Sequence, residues 1–532
     1  MKCLLLGIGS KIYSGNYEML GLEMLLASLK RNGIDAEIVY YEYDGEKSLE
    51  SVIDSIKWNE VKALGFCPFY TTFSYVKRII EEVNKINSSI VFFAGGGAVS
   101  HASVECLEML PQLDLVIRGE GEKTICELVK KVIDHQDWKG CLGITYRDGD
   151  KVVYNSPNTL VENLDELPWA ERVMIDKSTN KLRIQTSRGC EGSCTFCAES
   201  RIFNLTNHKN KWRGRSPKNI VDEMQHLVNN YGINFFSIVD ESFEDPVSLF
   251  GIQRIEDISD EILNRKLDVY FEVMMRSEDI LSISDEIWEK LKKAGLVSVL
   301  LGIESGSDSA LKTYGKKANV EQNEKAYEYL YNKMGINVIA GFIMFNPYST
   351  IQEFAENIDF IKKMELQYSF RVFSNKVRLF SGTPLFERAK NDGLLKNEYN
   401  LASPGEYTLF NSDVEVISNY LDYLINKLDY NGMGEYVTDY YHNTYERIVM
   451  YEKNNKDIKL CKELKRDMHK LRQRMGTQVM SVFGKINGEI NGEVDENMSI
   501  YKRIMADYID STLKGCNMIL RRIMRAEMKI VE

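Results

Sequence analysis

The stretch Thr186-Ser187-Arg188-Gly189-Cys190-Glu191-Gly192-Ser193-Cys194-Thr195-Phe196-Cys197 places three cysteines at CxxxCxxC spacing on one short loop. The loop follows a β-rich run, Arg183 to Thr186, and is expected at the carboxyl end of that strand. Further strand candidates come at Phe235 to Val239, Val269 to Met274, Ser298 to Ile303, Val338 to Phe345 and Phe370 to Leu379, with helical sequence between them. Such βα units in series predict a partial β/α (TIM-type) barrel, in which chemistry sits where strands end and loops begin. Three thiolates on a short loop can hold three corners of a cubane iron-sulfur cluster and leave the fourth iron open to a ligand. Zinc would need a further ligand, and the nearest histidine is His208, well beyond Cys197. A chance group of structural thiols is the third reading.

Outward toward the amino terminus, residues 1–150 alternate β-rich runs with amphipathic ones. Strands are expected at Lys2 to Gly7, Ala36 to Tyr40, Val61 to Phe66, Ile90 to Ala94 and Leu115 to Arg118, with helices such as Leu20 to Arg31 and Tyr75 to Asn87. That rhythm predicts a doubly wound, Rossmann-like parallel sheet, whose ligands bind at the carboxyl ends of strands. Gly95-Gly96-Gly97 and Arg118-Gly119-Glu120-Gly121-Glu122 fall there, and glycine lets backbone approach a large ligand closely. Residues 151–180 read as a hairpin and linker, and 181–395 as the barrel. Residues 396–532 lose the strand rhythm and predict a helical substrate or cap domain. It holds Tyr420, Tyr423, Tyr430, Tyr436, Tyr440 and Tyr441, and a segment, Glu452 to Met475, with nine Lys/Arg against four acids. Such a charge run is commonly a solvated helical face.

A chain of 532 residues is long enough for two or three cores. A net charge of -11 disfavours nucleic acid as a partner. No run of about 18 apolar residues suggests a membrane span, and Met1-Lys2-Cys3-Leu4-Leu5-Leu6-Gly7 is no signal peptide core, so a cytoplasmic location is expected. Ten cysteines are too sparse for a disulfide scaffold, and the seven outside the loop suit packing positions.

With Phe196 in the slot before Cys197, the motif CxxxCx(aromatic)C resembles that of the radical S-adenosylmethionine enzymes. The likeness continues through Trp212-Arg213-Gly214-Arg215-Ser216-Pro217, Asp240-Glu241, Arg276-Ser277, Leu301-Gly302-Ile303-Glu304-Ser305-Gly306-Ser307, Gly341-Phe342 and Ser381-Gly382-Thr383-Pro384-Leu385. The resemblance implies that Cys190, Cys194 and Cys197 ligate a 4Fe-4S cluster whose open iron binds S-adenosylmethionine, cleaved to a 5'-deoxyadenosyl radical. It also implies S-adenosylmethionine contacts at Phe196, Asp240, Glu241, Arg276, Glu304, Ser305 and Phe342.

Residues 1 to 395 together resemble the subgroup that carries an amino-terminal cobalamin-binding domain. That likeness implies a corrin site near Cys67, Thr71, Thr72, Gly95, Gly96, Gly97, Gly119 and Glu120. The motif DxHxxG, whose His ligates cobalt elsewhere, is absent, since Gly9 to Tyr17 contains no histidine, so cobalamin would bind without that ligand. The implied activity is methylation of an unactivated carbon of a natural-product or peptide substrate, with methylcobalamin as methyl donor and flavodoxin or ferredoxin as electron donor. Cyclisation, epimerisation, rearrangement or redox chemistry, with the cobalamin domain used differently or vestigial, is the alternative.

Overall fold

The computed structural model describes residues 2–9, 18–43, 45, 47–175, 179–199, 211–246, 249–397, 401, 405–429, 432–454, 457–486 and 494–531. His208, Tyr430 and the loop from Ser10 to Tyr17 lie outside the described residues. The chain forms two compact units, one from Met1–Glu241 with Arg378–Tyr407 and one from Ser242–Val377 with Thr408–Glu532.

The first unit holds a seven-stranded sheet in the order β2-β1-β3-β4-β5-β6-β7. Its strands are β1 (Lys2–Gly9), β2 (Ala36–Glu42), β3 (Val61–Phe66), β4 (Val91–Ala94), β5 (Leu115–Ile117), β6 (Ile144–Asp148) and β7 (Lys151–Tyr154). The helices that matter for the site are α1 (Leu20–Arg31), α2 (Phe73–Ile86) and α3 (Glu122–Ile133). β1 is apolar on both faces because both are covered: Leu4, Leu6 and Ile8 enter one core with α2, while Cys3 and Leu5 enter another with α1 and α3. The expectation of a purely parallel sheet needs one correction. β1 to β5 are parallel, but the hairpin β6–β7 adds two antiparallel strands at the edge. A tight hairpin can join strands only in antiparallel pairing, and Gly149 at φ +60 makes its turn.

The remainder of the stretch expected as a linker is strapped to this unit. Arg172, with only 1% of its side chain exposed, pairs with Glu18, with Glu223 at 3.1 Å and with Glu23 at 3.7 Å. The same unit carries β8 (Leu182–Ile184), β9 (Ser187–Arg188), β10 (Arg213–Gly214), α4 (Pro217–Tyr231) and β11 (Phe235–Ile238). β8 and β11 pair in parallel, and β9 and β10 form a short antiparallel ladder that frames the cysteine loop.

In the second unit β12 (Tyr270–Arg276), β13 (Leu296–Glu304) and β14 (Asn337–Phe342) are parallel, with one register shift in each pairing. They alternate with α5 (Leu249–Asn264), α6 (Asp285–Ala294), α7 (Val320–Glu328) and α8 (Ile351–Lys363). The sixth barrel strand expected over Phe370 to Leu379 is not formed. Phe370–Phe373 is a 3-10 turn, and only Lys376 bridges to Phe345. Phe370 is taken up by the tail, against Gly434 and the Tyr508 ring.

The tail consists of α9 (Ser412–Leu428), α10 (Met433–Asn454), α11 (Ile458–Ile486) and α12 (Val494–Val531). The contacts of α10 and α11 are not those of a cap. His442 Nδ1 lies 3.0 Å from Asn337 Oδ1, Lys453 donates to the Val269 carbonyl at 2.7 Å, and Lys465 to the Gly335 carbonyl at 3.1 Å. Asn454 donates to the Tyr270 hydroxyl. All four partners lie at the amino ends of β12 and β14, whereas a cap would sit at the carboxyl ends. Among the described residues no helix is long and apolar enough to cross a membrane.

Candidate active site: a cysteine loop and a glycine-lined cleft

Parallel pairing aligns the carboxyl ends of β3, β4 and β5, and the strand order reverses beside β1, where doubly wound sheets leave a crevice. A cleft of about 710 Å3, open mouth included, lies there, lined by Leu5, Phe93 and Ile117 below and by Cys67, Gly95, Gly96, Gly119 and Glu120 at the strand ends. The glycines are sterically required at two points. Gly96 has φ +98, and a Cβ on it would stand 2.8 Å from Cys67 Sγ. A Cβ on Gly65 would stand 2.4 Å from the Phe93 ring. Gly97 opens the short helix Gly97–Ser100. Thr72 is turned inward, its hydroxyl donating to the Phe69 carbonyl at 3.2 Å, so of the two threonines only Thr71 is exposed. The apolar floor and the glycine rim fit a large planar ligand such as a corrin.

Glu120 is not free for a ligand. Burial opposes its ionisation, but hydrogen bonds and charge from Arg213, together with Arg188, win and hold its carboxyl below the ordinary value. Arg188 also pairs with Glu122, and its Nε donates to Gln185 Oε1 at 2.8 Å. Thus the Arg118–Glu122 motif grips the chain two residues before Cys190, a role that sequence reading missed. The signal was a buried-type arginine next to the cysteine motif, unreadable until β9 and β10 brought Arg188 and Arg213 side by side.

Cys190, Cys194 and Cys197 are half-buried and unbridged by disulfides. Gly192 N–H donates to Cys190 Sγ at 3.2 Å, and Cys197 N–H to the Cys194 carbonyl at 3.3 Å. Among the described residues no three His, Cys, Asp or Glu side chains converge to hold one metal ion. A four-iron cube spreads its thiolates more widely than a single ion does, and a set of three thiols on one loop suits the cube. Burial pushes the other thiols up, Cys67, Cys126, Cys141, Cys461 and Cys516 to about 11 and Cys106 to about 12. Cys3 moves in the same direction. Apart from Cys67, which lines the cleft, those are packing thiols.

The residues assigned to S-adenosylmethionine divide into two groups. Asp240 is fully engaged within the protein, accepting from Thr186 N–H at 2.6 Å, Ser187 N–H at 3.0 Å, Ser187 Oγ at 2.7 Å and the Thr186 hydroxyl. It positions the start of the cysteine loop and, with its acceptor positions filled, is corrected from a cofactor ligand to a support. Ser305 is likewise spent on Asn357 at 2.7 Å, and Phe342 stacks on Phe360 with centroids 5.9 Å apart. Arg276 is surrounded by Glu244, Asp245, Glu278 and Asp279. Glu241 has open capacity: one oxygen accepts from Gly189 N–H at 3.0 Å, and burial, then Glu199 and Asp240, push its carboxyl up to about 7. Glu304 is held at φ +65, a left-handed backbone rare for Glu, and burial raises its carboxyl while Lys316 opposes. Phe196 is half-buried within the cysteine loop.

Family comparison matches residues 184–361 to the Radical SAM superfamily and 13–129 to the B12 binding domain. An uncharacterized methyltransferase of Pyrococcus horikoshii is 28% identical over 379 residues, covering 70% of this chain and 78% of that protein. The anaerobic magnesium-protoporphyrin IX monomethyl ester cyclase of Rubrivivax gelatinosus is 26% identical over 347 residues, 63% of this chain and 60% of that one. Among solved structures, the cobalamin-dependent S-adenosylmethionine radical enzyme OxsB with aqua-cobalamin bound superposes with TM-score 0.69 at 18% identity, over 99% of this chain and 81% of that chain. The radical S-adenosylmethionine methyltransferase TsrM of Kitasatospora setae, with tryptophan and a cofactor analogue, gives 0.60 at 17% identity, over 75% and 78%. With its cysteine loop, its glycine-lined cleft and both domain matches, the chain belongs to the radical S-adenosylmethionine enzymes that carry an amino-terminal B12 binding domain.

Proposed function

We propose that the protein transfers a methyl group to an unactivated carbon of a small-molecule or peptide substrate, using a 4Fe-4S cluster, S-adenosylmethionine and cobalamin. When bound, these groups supply a 5'-deoxyadenosyl radical and a methyl carrier. Cys190, Cys194 and Cys197 would ligate the cluster. Glu241 would accept the methionyl ammonium. Cys67, Gly95, Gly96 and Gly119 would admit the corrin, and the packed floor of Leu5, Phe93 and Ile117 would exclude water beneath it. A flavodoxin or ferredoxin would supply the electron.

The observation that carries this reading is the link between the two halves of the chemistry inside one unit. Arg188, which precedes Cys190 by two residues, lines the cleft and is held there by Glu122. Anaerobic reconstitution with iron, sulfide and hydroxocobalamin tests it. The expected result is one bound corrin, with 5'-deoxyadenosine formed from S-adenosylmethionine under dithionite. No corrin binding would sink methyl transfer. A second reading, radical cyclisation, rearrangement or redox chemistry without net methylation, is favoured by one observation: the Rubrivivax gelatinosus relative, 26% identical, is named a cyclase. Methyl-deuterated S-adenosylmethionine separates the readings by whether label reaches product.

A further inference from the structure

We propose that the stretch Arg378–Leu385 is a clasp that registers the cysteine loop against the glycine-lined cleft, so that filling the cleft is felt at the cysteines. The inference rests on the cobalamin reading above and goes beyond it, because it names the residues that couple the two sites. Three contacts within the first unit carry it.

The first contact is on the cysteine loop. Leu385 N–H donates to the Thr195 carbonyl at 2.9 Å, and Thr195 lies inside the turn between Cys194 and Cys197. Leu385 stands in the first turn of the helix Pro384–Asn391, behind the Thr383 cap, where an N–H has no partner in its own helix. That spare donor is spent on the cysteine loop. The second contact is on the loop after β3: the Arg378 guanidinium lies 4.9 Å from the centroid of the Tyr70 ring, three residues beyond the cleft residue Cys67. The third is on the glycine turn. Gly382 has φ +80, and a Cβ on it would stand 3.2 Å from His101 Nδ1, at the end of the short helix that Gly96 begins.

Two further features hold the clasp down. A Cβ on Gly405 would lie 3.0 Å from Leu379 Cβ, which closes the excursion on itself, and Leu401 is buried in the core beside α2. Within eight consecutive residues, Arg378, Gly382 and Leu385 therefore reach the cysteine loop and two of the three strand-end loops that border the cleft. Packing alone would not require that convergence, but a reaction whose radical source and methyl carrier must meet one carbon requires a fixed spacing between them.

The test is hydrogen exchange on the full-length, cluster-reconstituted protein with hydroxocobalamin as probe. In the wild type, hydroxocobalamin should slow exchange across residues 193–197, which do not line the cleft, by at least about fivefold. In Arg378→Ala and in Gly382→Val the corrin should still bind, by its absorbance, while the slowing at 193–197 is lost. Should Gly382→Val not fold, Arg378→Ala, whose side chain is exposed, carries the result alone. Slowing that persists in a variant, or that is missing in a wild type that binds corrin, overturns the clasp and leaves the proposed function standing. A wild type that binds no corrin overturns both.

Discussion

Two buried arginines, one in each unit, are stabilised by opposite means. Arg188, beside the cysteine loop, is neutralised by Glu122 and Glu120. Arg472, on tail helix α11, makes no ion pair among the described residues. Its Nε donates to the Glu365 carbonyl at 2.8 Å and another guanidinium nitrogen to the Met364 carbonyl at 2.7 Å, while the rings of Tyr331 and Tyr368 each lie 4.7 Å from its carbon. The first arrangement fixes a charge next to a candidate cofactor site, where a buried unpaired ion is costly. The second fastens a helix to the carbonyls that end α8, where backbone acceptors are left over and a cation is favoured. Similar side chains, similarly buried, thus mark a chemical region and a structural one.

The sharpest way to break that division is at the cysteines. Cys190→Ala should abolish iron incorporation and reduce 5'-deoxyadenosine formation to background, while Cys461→Ala, in the tail, should leave both intact. Iron analysis and product chromatography read the outcome, and equal losses would erase the distinction. Next comes the ion pair. Glu122→Ala leaves Arg188 short of a counter-ion and should cost about 3 to 5 kcal/mol in denaturant unfolding of the first unit. A cost below about 1 kcal/mol would mean that Glu120 suffices.

In the tail the expected losses come from packing. A Cβ on Gly434 would sit 1.9 Å from the Phe370 ring. Gly434→Ala should therefore destabilise by about 1 to 3 kcal/mol, although alanine in a helix is otherwise favoured over glycine by about 1 kcal/mol. Thermal unfolding decides which effect wins. The last effect is titration, small near neutral pH. Burial, helped by Arg472, lowers the His442 pKa to about 3, so the folded protein keeps this ring neutral at a pH where the unfolded chain protonates it. Stability is then complete above the unfolded value of about 6.5 and falls as pH drops toward 3, by up to about 1.4 kcal/mol per pH unit. His442→Gln should flatten that slope between pH 6.5 and 5, measured by urea midpoints.

The same contrast governs what could be read in advance. The apolar run in Lys2–Gly9, the amphipathic spacing of Phe73–Ile86 and the cysteine motif act over a few residues, and each is found where the pattern placed it. Phe370 to Leu379 failed as a strand because its fate depends on Gly434 and Tyr508, which are distant in sequence. Glu452 to Met475 reads as a solvated basic face, yet Lys453, Lys465 and Arg472 turn inward to backbone carbonyls, a use of charge that no spacing rule reveals. Asp240 shows the same limit at the site: it stands beside Glu241, but its carboxylate is filled by Thr186 and Ser187.

By itself the sequence determined the local periodicities, hence the α/β class, the cysteine loop after a strand and the glycines at the strand ends. Those are properties of neighbouring residues and of the backbone they permit. Only the tertiary structure decided which carboxylates are free and which are spent. It also decided that the tail packs at the amino ends of β12 and β14, and that Arg378–Leu385 reaches both the cysteine loop and the cleft. Each of these depends on groups far apart in the chain being brought within a few ångströms, where burial and pairing set their chemistry.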